Sequence, residues 1–356
     1  MGDVLHGLPA VAALRERLPD CFIGWAVEPR WKALLESSTP HLNPGEAGTE
    51  MGHPVSRVHL VRTQDWKGRP LSVATAREIL ALRRELRAEE YDVCVDLQGS
   101  IRSAIIGRMA QAKHFVGAKE PRETQARWLY GTQVDVRSRH VIEQACELVK
   151  WGMATLVEDW QPIAGLAPAR VSIPVDAAAE MWCDEVLARL EIGSQGFVLL
   201  APTAGWGAKQ WPTERYAELA RRLKAAGYTV FINGGSGADR VMLAQRAESC
   251  GAKVMESDIA QLVALTRRAR LVVGGDSGPI HLAAALGGSV LALFGPTDPA
   301  RNGPYFVGAK VRVLRHSTSR LDHARLANTE AGLAKITEDE VVAAAFELLR
   351  EVKENG

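Results

Sequence analysis

Two parallel α/β domains are predicted for this chain, and three observations carry the prediction. Short apolar runs rich in Val, Ile and Leu alternate with longer helical patterns along both halves. Many of those runs end in turn-forming residues, such as Gln98-Gly99-Ser100, Gly234-Gly235-Ser236 and Gly274-Gly275-Asp276. A Pro/Ala/Gly-rich stretch with little periodicity separates the two series and places an interdomain linker at residues 163–174. The expected divisions are an N-terminal domain over 1–165, a C-terminal domain over 175–335 and a terminal helix over 337–356.

The elements follow in order. Residues 4–18 read as an amphipathic helix with Leu5, Leu8, Val11, Leu14 and Leu18 on one side. Residues 21–27 alternate like a strand, a polar Pro/Gly-rich stretch covers 41–54, and a short strand falls at 58–61. A charged helix is expected over 74–89, a strand over 91–97, a helix from about Ile101, a short strand at 114–116 and a helix over 140–153. The second half starts again with a helix over 177–190 and a strand over 197–201. A helix over 212–226, a strand over 229–233, and helices over 238–248 and 262–270 complete the approach to the most informative segment.

That segment is residues 271–305. A β-branched run ends in Gly274-Gly275-Asp276-Ser277-Gly278-Pro279 and passes into a small-residue helix. Asp and Ser are N-cap residues, and Pro suits the first turn. A helix N-terminus offers free backbone N–H groups and a partial positive charge, which suits a phosphate. A second strand, 289–294, runs into the rigid turn Gly295-Pro296-Thr297-Asp298-Pro299. Consecutive parallel strands open on one edge, so both turns can line one crevice, and the reading is a nucleotide diphosphate site. Residues 277–297 lack a formal charge and are long enough to span a bilayer, but Gly287-Gly288 breaks the run and Pro296 ends it. A buried helix followed by a buried strand is expected there.

Composition narrows the function classes. Lys and Arg number 43 and Asp and Glu 42 in 356 residues, which disfavours a nucleic-acid binder working by bulk charge. A hydrophobic content of 47% supports large cores. The five cysteines are scattered without C-x-x-C spacing, so a reduced, cytoplasmic protein without structural zinc is expected. No G-x-G-x-x-G follows a first strand, which disfavours a dinucleotide-dependent dehydrogenase.

Three loops of the second half carry candidate chemistry. The first, 202–212, holds Thr203 and Lys209 between Trp206 and Trp211. Lys209 either neutralises a phosphate or is a solvated surface lysine, and the flanking tryptophans, read as pocket walls, favour the former. The second holds Asp239, which suits ribose hydroxyls or a helix N-terminus about equally. The third holds Asp276, Ser277, Gly278 and His281, with Thr297 in the neighbouring turn. His281 lies in the helix's first turn, within reach of a bound anion or in a structural role.

GDSGPIHLAAALGGSVLALFGPTDP, with K-x-W-P upstream and MGDVLHGLPA at the start, resembles the ADP-heptose:lipopolysaccharide heptosyltransferases, glycosyltransferase family 9. Asp96-Leu97-Gln98-Gly99 with Arg102-Ser103-Ala104, and His140-Val141-Ile142-Glu143, are similar to them as well. The resemblance implies a GT-B fold, two Rossmann-like domains facing across a cleft, with the terminal helix returning to the first domain. It implies metal-independent, inverting transfer of heptose from ADP-L-glycero-D-manno-heptose to the Kdo/inner-core region of lipopolysaccharide. No cofactor is implied. The work would be cytoplasmic, at the inner face of the inner membrane.

Site roles follow from the same resemblance. Asp3 matches the family's base, and Lys209 with the helix N-terminus stabilises the ADP leaving group. Asp239 matches the ribose ligand, Asp276 and His281 stand beside diphosphate and heptose, and Thr203 and Thr297 join the donor candidates. The acceptor carries carboxylates and phosphates, so His6, Lys67, Gln98, Arg102 and Arg122 are its candidates. One departure stands out: family members carry a strand before Met-Gly-Asp, so the central first strand of the N-terminal domain is expected to be missing and the native start to lie upstream. The first-heptose type fits H-L-A-A-A-L and the spacing, whereas G-D-S-G-P resembles the second-heptose type, so the resemblance leaves the acceptor open between them. A second-heptose enzyme, another family 9 transferase, or a non-catalytic nucleotide-sugar-binding module are the alternatives.

Overall fold

A computed structural model describes residues 1–36, 55–156, 165–190, 192–234, 240–322 and 324–354. The polar stretch expected at 41–54 and the candidate Asp239 lie outside them. The chain forms two compact units, Asp3–Pro174 and Val175–Gly356.

The first unit runs α1 (Gly2–Arg17), β1 (Gly24–Val27), β2 (Arg57–Leu60), α2 (Thr63–Gly68), α3 (Val73–Ala88), β3 (Val93–Asp96), α4 (Ile101–Ala110), β4 (His114–Ala118), β5 (Thr132–Val134) and α5 (Val141–Ala154). Its strands make two parallel sheets, β1-β2 and β3-β4-β5, which no strand among the described residues joins. Helix α1 is not amphipathic as expected. Every residue from Gly7 to Leu14 is buried, because Ala10, Ala12 and Ala13 fill the face on which an amphipathic helix carries polar residues. Ala10, Val11, Ala13 and Leu14 pack with Ala145, Cys146 and Val149 of α5.

The second unit runs α6 (Ala177–Arg189), β6 (Phe197–Ala201), α7 (Thr213–Ala225), β7 (Thr229–Asn233), α8 (Arg240–Cys250), β8 (Lys253–Met255), α9 (Ile259–Arg268), β9 (Leu271–Gly275), α10 (Gly278–Ala285), β10 (Ser289–Phe294), α11 (Pro299–Asn302), β11 (Lys310–Arg315) and α12 (Glu338–Glu354). One six-stranded parallel sheet results, in the order β11-β10-β9-β6-β7-β8. Counted within the unit this is the 3-2-1-4-5-6 arrangement of dinucleotide-binding sheets. Strands β6, β9 and β10 are buried throughout, which fits central strands covered on both faces. Residues 278–294 are the expected buried helix and strand rather than a membrane span, and no helix among the described residues is long and apolar enough to cross a membrane.

Strands β5, β8 and β11 escape a reading by apolar runs. The first two are three residues long. Strand β11 intersperses Lys310, Arg312 and Arg315 among aliphatic residues, the charged composition of a protected sheet edge. The terminal helix requires a correction. It was expected to return to the N-terminal domain, but α12 packs against α7, β9, β10 and β11 of the second unit. Its apolar stripe, Val341, Val342, Ala345, Leu348 and Leu349, is buried in one core with Leu271, Leu291 and Leu293, so the nearest apolar surface takes the helix.

Candidate active site

The carboxyl ends of β6, β9 and β10 lie side by side, and each is followed by one functional turn. Lys209 comes from the turn after β6, Asp276 from the end of β9, and Thr297 from the turn after β10. Asp276 gathers the others. Lys209 Nζ contacts its Oδ2, Thr297 Oγ1 donates to Oδ2 at 2.8 Å, and His281 Nε2 stands 3.1 Å from Oδ1. Asp276 is 8% exposed, His281 3% and Thr297 1%. Backbone approach makes this possible: a Cβ at Gly275 would lie 2.3 Å from the Lys209 carbonyl oxygen. Only glycine lets the β6 turn close onto the end of β9.

The remaining donor candidates divide. Thr203 is half-buried in the turn after β6. Ser277 caps α10 by backbone position alone; its Oγ is buried and finds no partner among the described residues. Gly278 opens the helix, where backbone N–H groups lack intrahelical acceptors. Trp206 lies under Lys209, whose Nζ is 4.1 Å from the ring centroid. Trp211 is not a pocket wall as expected. It is fully buried, donates Nε1–H to Ile336 O at 3.0 Å and packs edge-on to Tyr216.

Burial works against the charge on Asp276, but the hydrogen bond and charge of His281, with Lys209 beside it, outweigh burial and hold the carboxyl well below the usual carboxylate range. A carboxylate whose pKa is depressed on folding stabilises the native state above its unfolded value of about 3.9, and that contribution is lost as pH falls further. Thermal stability of the native sequence should therefore fall more steeply between about pH 5 and 3 than that of Asp276→Asn. Parallel slopes in a pH series of thermal melts would contradict the assignment.

In the first unit, Asp3 is exposed in the first turn of α1 and accepts from Gln98 Nε2 at 2.9 Å. The Arg122 guanidinium is 3.6 Å from the same carboxylate. Gln98, Arg102 and Arg122 line a cavity of about 350 Å³ with Ser100, Ile101, Ile105 and Glu123. Thus Asp3 and three of the five acceptor candidates cluster. His6 sits one turn beyond Asp3 on α1, half-buried. Lys67 is exposed on α2, whose first residue, Thr63, accepts from Arg102 NH1 at 3.2 Å; Lys67 is not among the residues lining the cavity.

The supports of this cluster were missed in the sequence. Asp96 ends β3 and accepts from Gln98 N at 3.0 Å, Gly99 N at 3.1 Å, Ser103 Oγ at 3.0 Å and Tyr130 Oη at 2.7 Å. Burial, with the Asp96 charge beside it, pushes the Tyr130 phenol up, so Tyr130 stays a donor. Gly99 has φ +65°, and a Cβ there would lie 2.9 Å from Arg122 N, so the turn brings the Arg122 segment onto Gln98. Glu123 ties the same segment down by accepting from Ile101 N at 2.8 Å. A carboxylate at a strand end before a glycine turn was the available signal; Tyr130 left none, because it is 34 residues away.

Comparison with known proteins places this architecture. Residues 79–328 match the family model described as glycosyltransferase family 9 (heptosyltransferase). Lipopolysaccharide heptosyltransferase 1 of Escherichia coli (strain K12) is 27% identical over 95% of this chain and 96% of that protein. Lipopolysaccharide heptosyltransferase 2 of Salmonella typhimurium is 26% identical over 99% of this chain and 96% of that protein. Among solved structures, E. coli heptosyltransferase WaaC with ADP is similar with a TM-score of 0.71 and 23% identity, covering 98% of this chain and 97% of that one. A family 9 glycosyl transferase from Veillonella parvula gives 0.75 and 20%, covering 98% and 94%. The likeness in structure shows the GT-B fold, with two Rossmann-like domains, and the family match shows a glycosyltransferase: this chain belongs to glycosyltransferase family 9, the heptosyltransferases.

Proposed function

We propose that this chain transfers L-glycero-D-manno-heptose from ADP-heptose to the Kdo/inner-core region of lipopolysaccharide by a single inverting displacement, as the first-heptose enzyme. The observation that carries the reading is the Lys209–Asp276–His281–Thr297 cluster at the carboxyl edge of a 3-2-1-4-5-6 sheet, beside the N-terminus of α10. ADP leaves with negative charge developing on its outer phosphate. Lys209 and the N–H groups of α10 at Ser277 and Gly278 are fixed positive groups that favour that charge. Asp239, outside the described residues, is the proposed ribose ligand, with Thr203 in the same donor set. Asp276 has the further task of aiming Lys209, since the two are in contact.

The acceptor hydroxyl needs a base in the transition state. Asp3 is that base, and inversion requires no second carboxylate. Arg102 and Arg122 suit the acceptor's phosphates and carboxylates, with His6, Lys67 and Gln98 as its polar contacts. The exposed Ile101 and Ile105 on the same cavity suit the lipid-linked end of a Kdo-lipid A acceptor, and the proposed place of work is the cytoplasmic face of the inner membrane.

The deciding experiment is ADP release from ADP-heptose with Kdo-lipid A and, separately, with heptosyl-Kdo-lipid A. Release with the first acceptor alone is the expected result. Release with the second alone would make this a second-heptose enzyme, and binding of ADP-heptose without release on either would leave a family 9 transferase for another acceptor or a non-catalytic module.

A further inference from the structure

A segment late in the chain roofs the donor turns. Asp322 N donates to Pro296 O at 2.9 Å, just beyond β10. Further on, Ala208 N donates to Leu326 O at 3.0 Å, Glu330 N to Ala208 O at 3.3 Å, and Thr329 Oγ1 to Gln210 O at 2.9 Å, all in the turn after β6. Strand β9 lies between β10 and β6. The segment is thus anchored on both sides of the strand that leads into Asp276. Arg325 lies on it, exposed, with its guanidinium carbon 5.4 Å from the centroid of the Trp206 ring. That ring also carries Lys209. Among the described residues Arg325 is paired with no carboxylate, and the buried Trp206 Nε1–H has no acceptor.

The charges near Asp276 make this placement meaningful. The Lys209 ammonium is in contact with the Asp276 carboxylate, so that pair is neutral, and His281 is turned onto the other oxygen of the same carboxylate. A diphosphate carries more than one negative charge. Lys209 directs such a group, yet it cannot by itself neutralise it. The next cation at the same indole is Arg325, and its planar fork suits phosphate oxygens while its face rests on an aromatic ring.

We infer that Arg325 is a further donor-binding residue, which takes up the diphosphate charge that the Lys209–Asp276 pair leaves unneutralised. The inference rests on the reading of the donor as a nucleoside-diphosphate sugar. It is tested on the full chain by calorimetric titration with ADP over a range of salt concentrations, for the native sequence, Arg325→Gln and Arg325→Lys. Arg325→Gln should weaken ADP binding by about tenfold or more, since hydrogen bonds to charged groups are the strong ones. Its salt dependence should flatten, because one screened charge has gone, and Arg325→Lys should recover part of both. Unchanged ADP affinity in Arg325→Gln would overturn the inference, as would a weakened affinity with unaltered salt dependence, which marks a merely structural role. If the native chain binds no ADP at all, the donor reading itself fails and the inference falls with it. Arg325 is exposed, so melting temperatures of the variants should match the native one.

Discussion

Replacing Asp3 with Asn or Ala should lower heptose transfer by about 10²–10⁴-fold, the usual contribution of a general base, with ADP affinity nearly unchanged. The carboxylate is exposed in the first turn of α1 and holds up none of the core, so the variants should fold. Asn keeps an oxygen to accept the Gln98 Nε2–H bond and loses only the charge and the basicity. A loss seen equally in Asn and Ala therefore isolates proton transfer from positioning. The measurement is single-turnover transfer alongside calorimetric ADP binding. Substantial turnover in Asp3→Ala would mean that another group takes the acceptor's proton.

The second large effect belongs to Lys209. Lys209→Ala should cut the transfer rate by about 10²–10³-fold, the cost of one fixed positive donor at a developing oxyanion, and should weaken ADP binding as well. It differs from Asp3 in a second respect. Asp276 is buried and would keep His281 and Thr297 but lose the ammonium, and stripping one partner from a buried pair costs on the order of 3 kcal/mol of stability. Lys209→Ala should accordingly melt lower, whereas Asp3→Ala should not. Lys209→Arg should restore charge but not rate, because a planar guanidinium spreads its charge over a fork and does not reproduce the point charge that meets Asp276. A folded Lys209→Ala enzyme with native kinetics would remove this residue from the chemistry.

Much of the second unit was legible because its chemistry is written at strand ends. Central parallel strands such as β9 and β10 are continuous apolar runs, and polar residues directly after them fall on one edge by topology alone. Asp276, Lys209 and Thr297 could be brought together on paper for that reason. What could not be read is tertiary. Trp211 sits two residues from Lys209 and looks like its neighbour Trp206, yet one is core and the other carries the lysine; only the position of Ile336, 125 residues away, separates them. The same holds for Tyr130 beneath Asp96 and for Arg325 above Trp206. Helix α1 misled for a different reason, since alanine is compatible with either a buried or an exposed face.

The anchoring of the β6 turn also sets an order in time. Gln210 is held by Thr329, 119 residues later in the chain. A ribosome adding about 5–20 residues per second needs on the order of ten seconds to deliver that partner after Lys209 has emerged. During that interval the strands of the second sheet accumulate, but the backbone of the Lys209 turn has no roof. The Lys209 turn is thus completed near the end of synthesis, and a nascent chain stalled before residue 322 would hold a nearly finished sheet that lacks this anchoring.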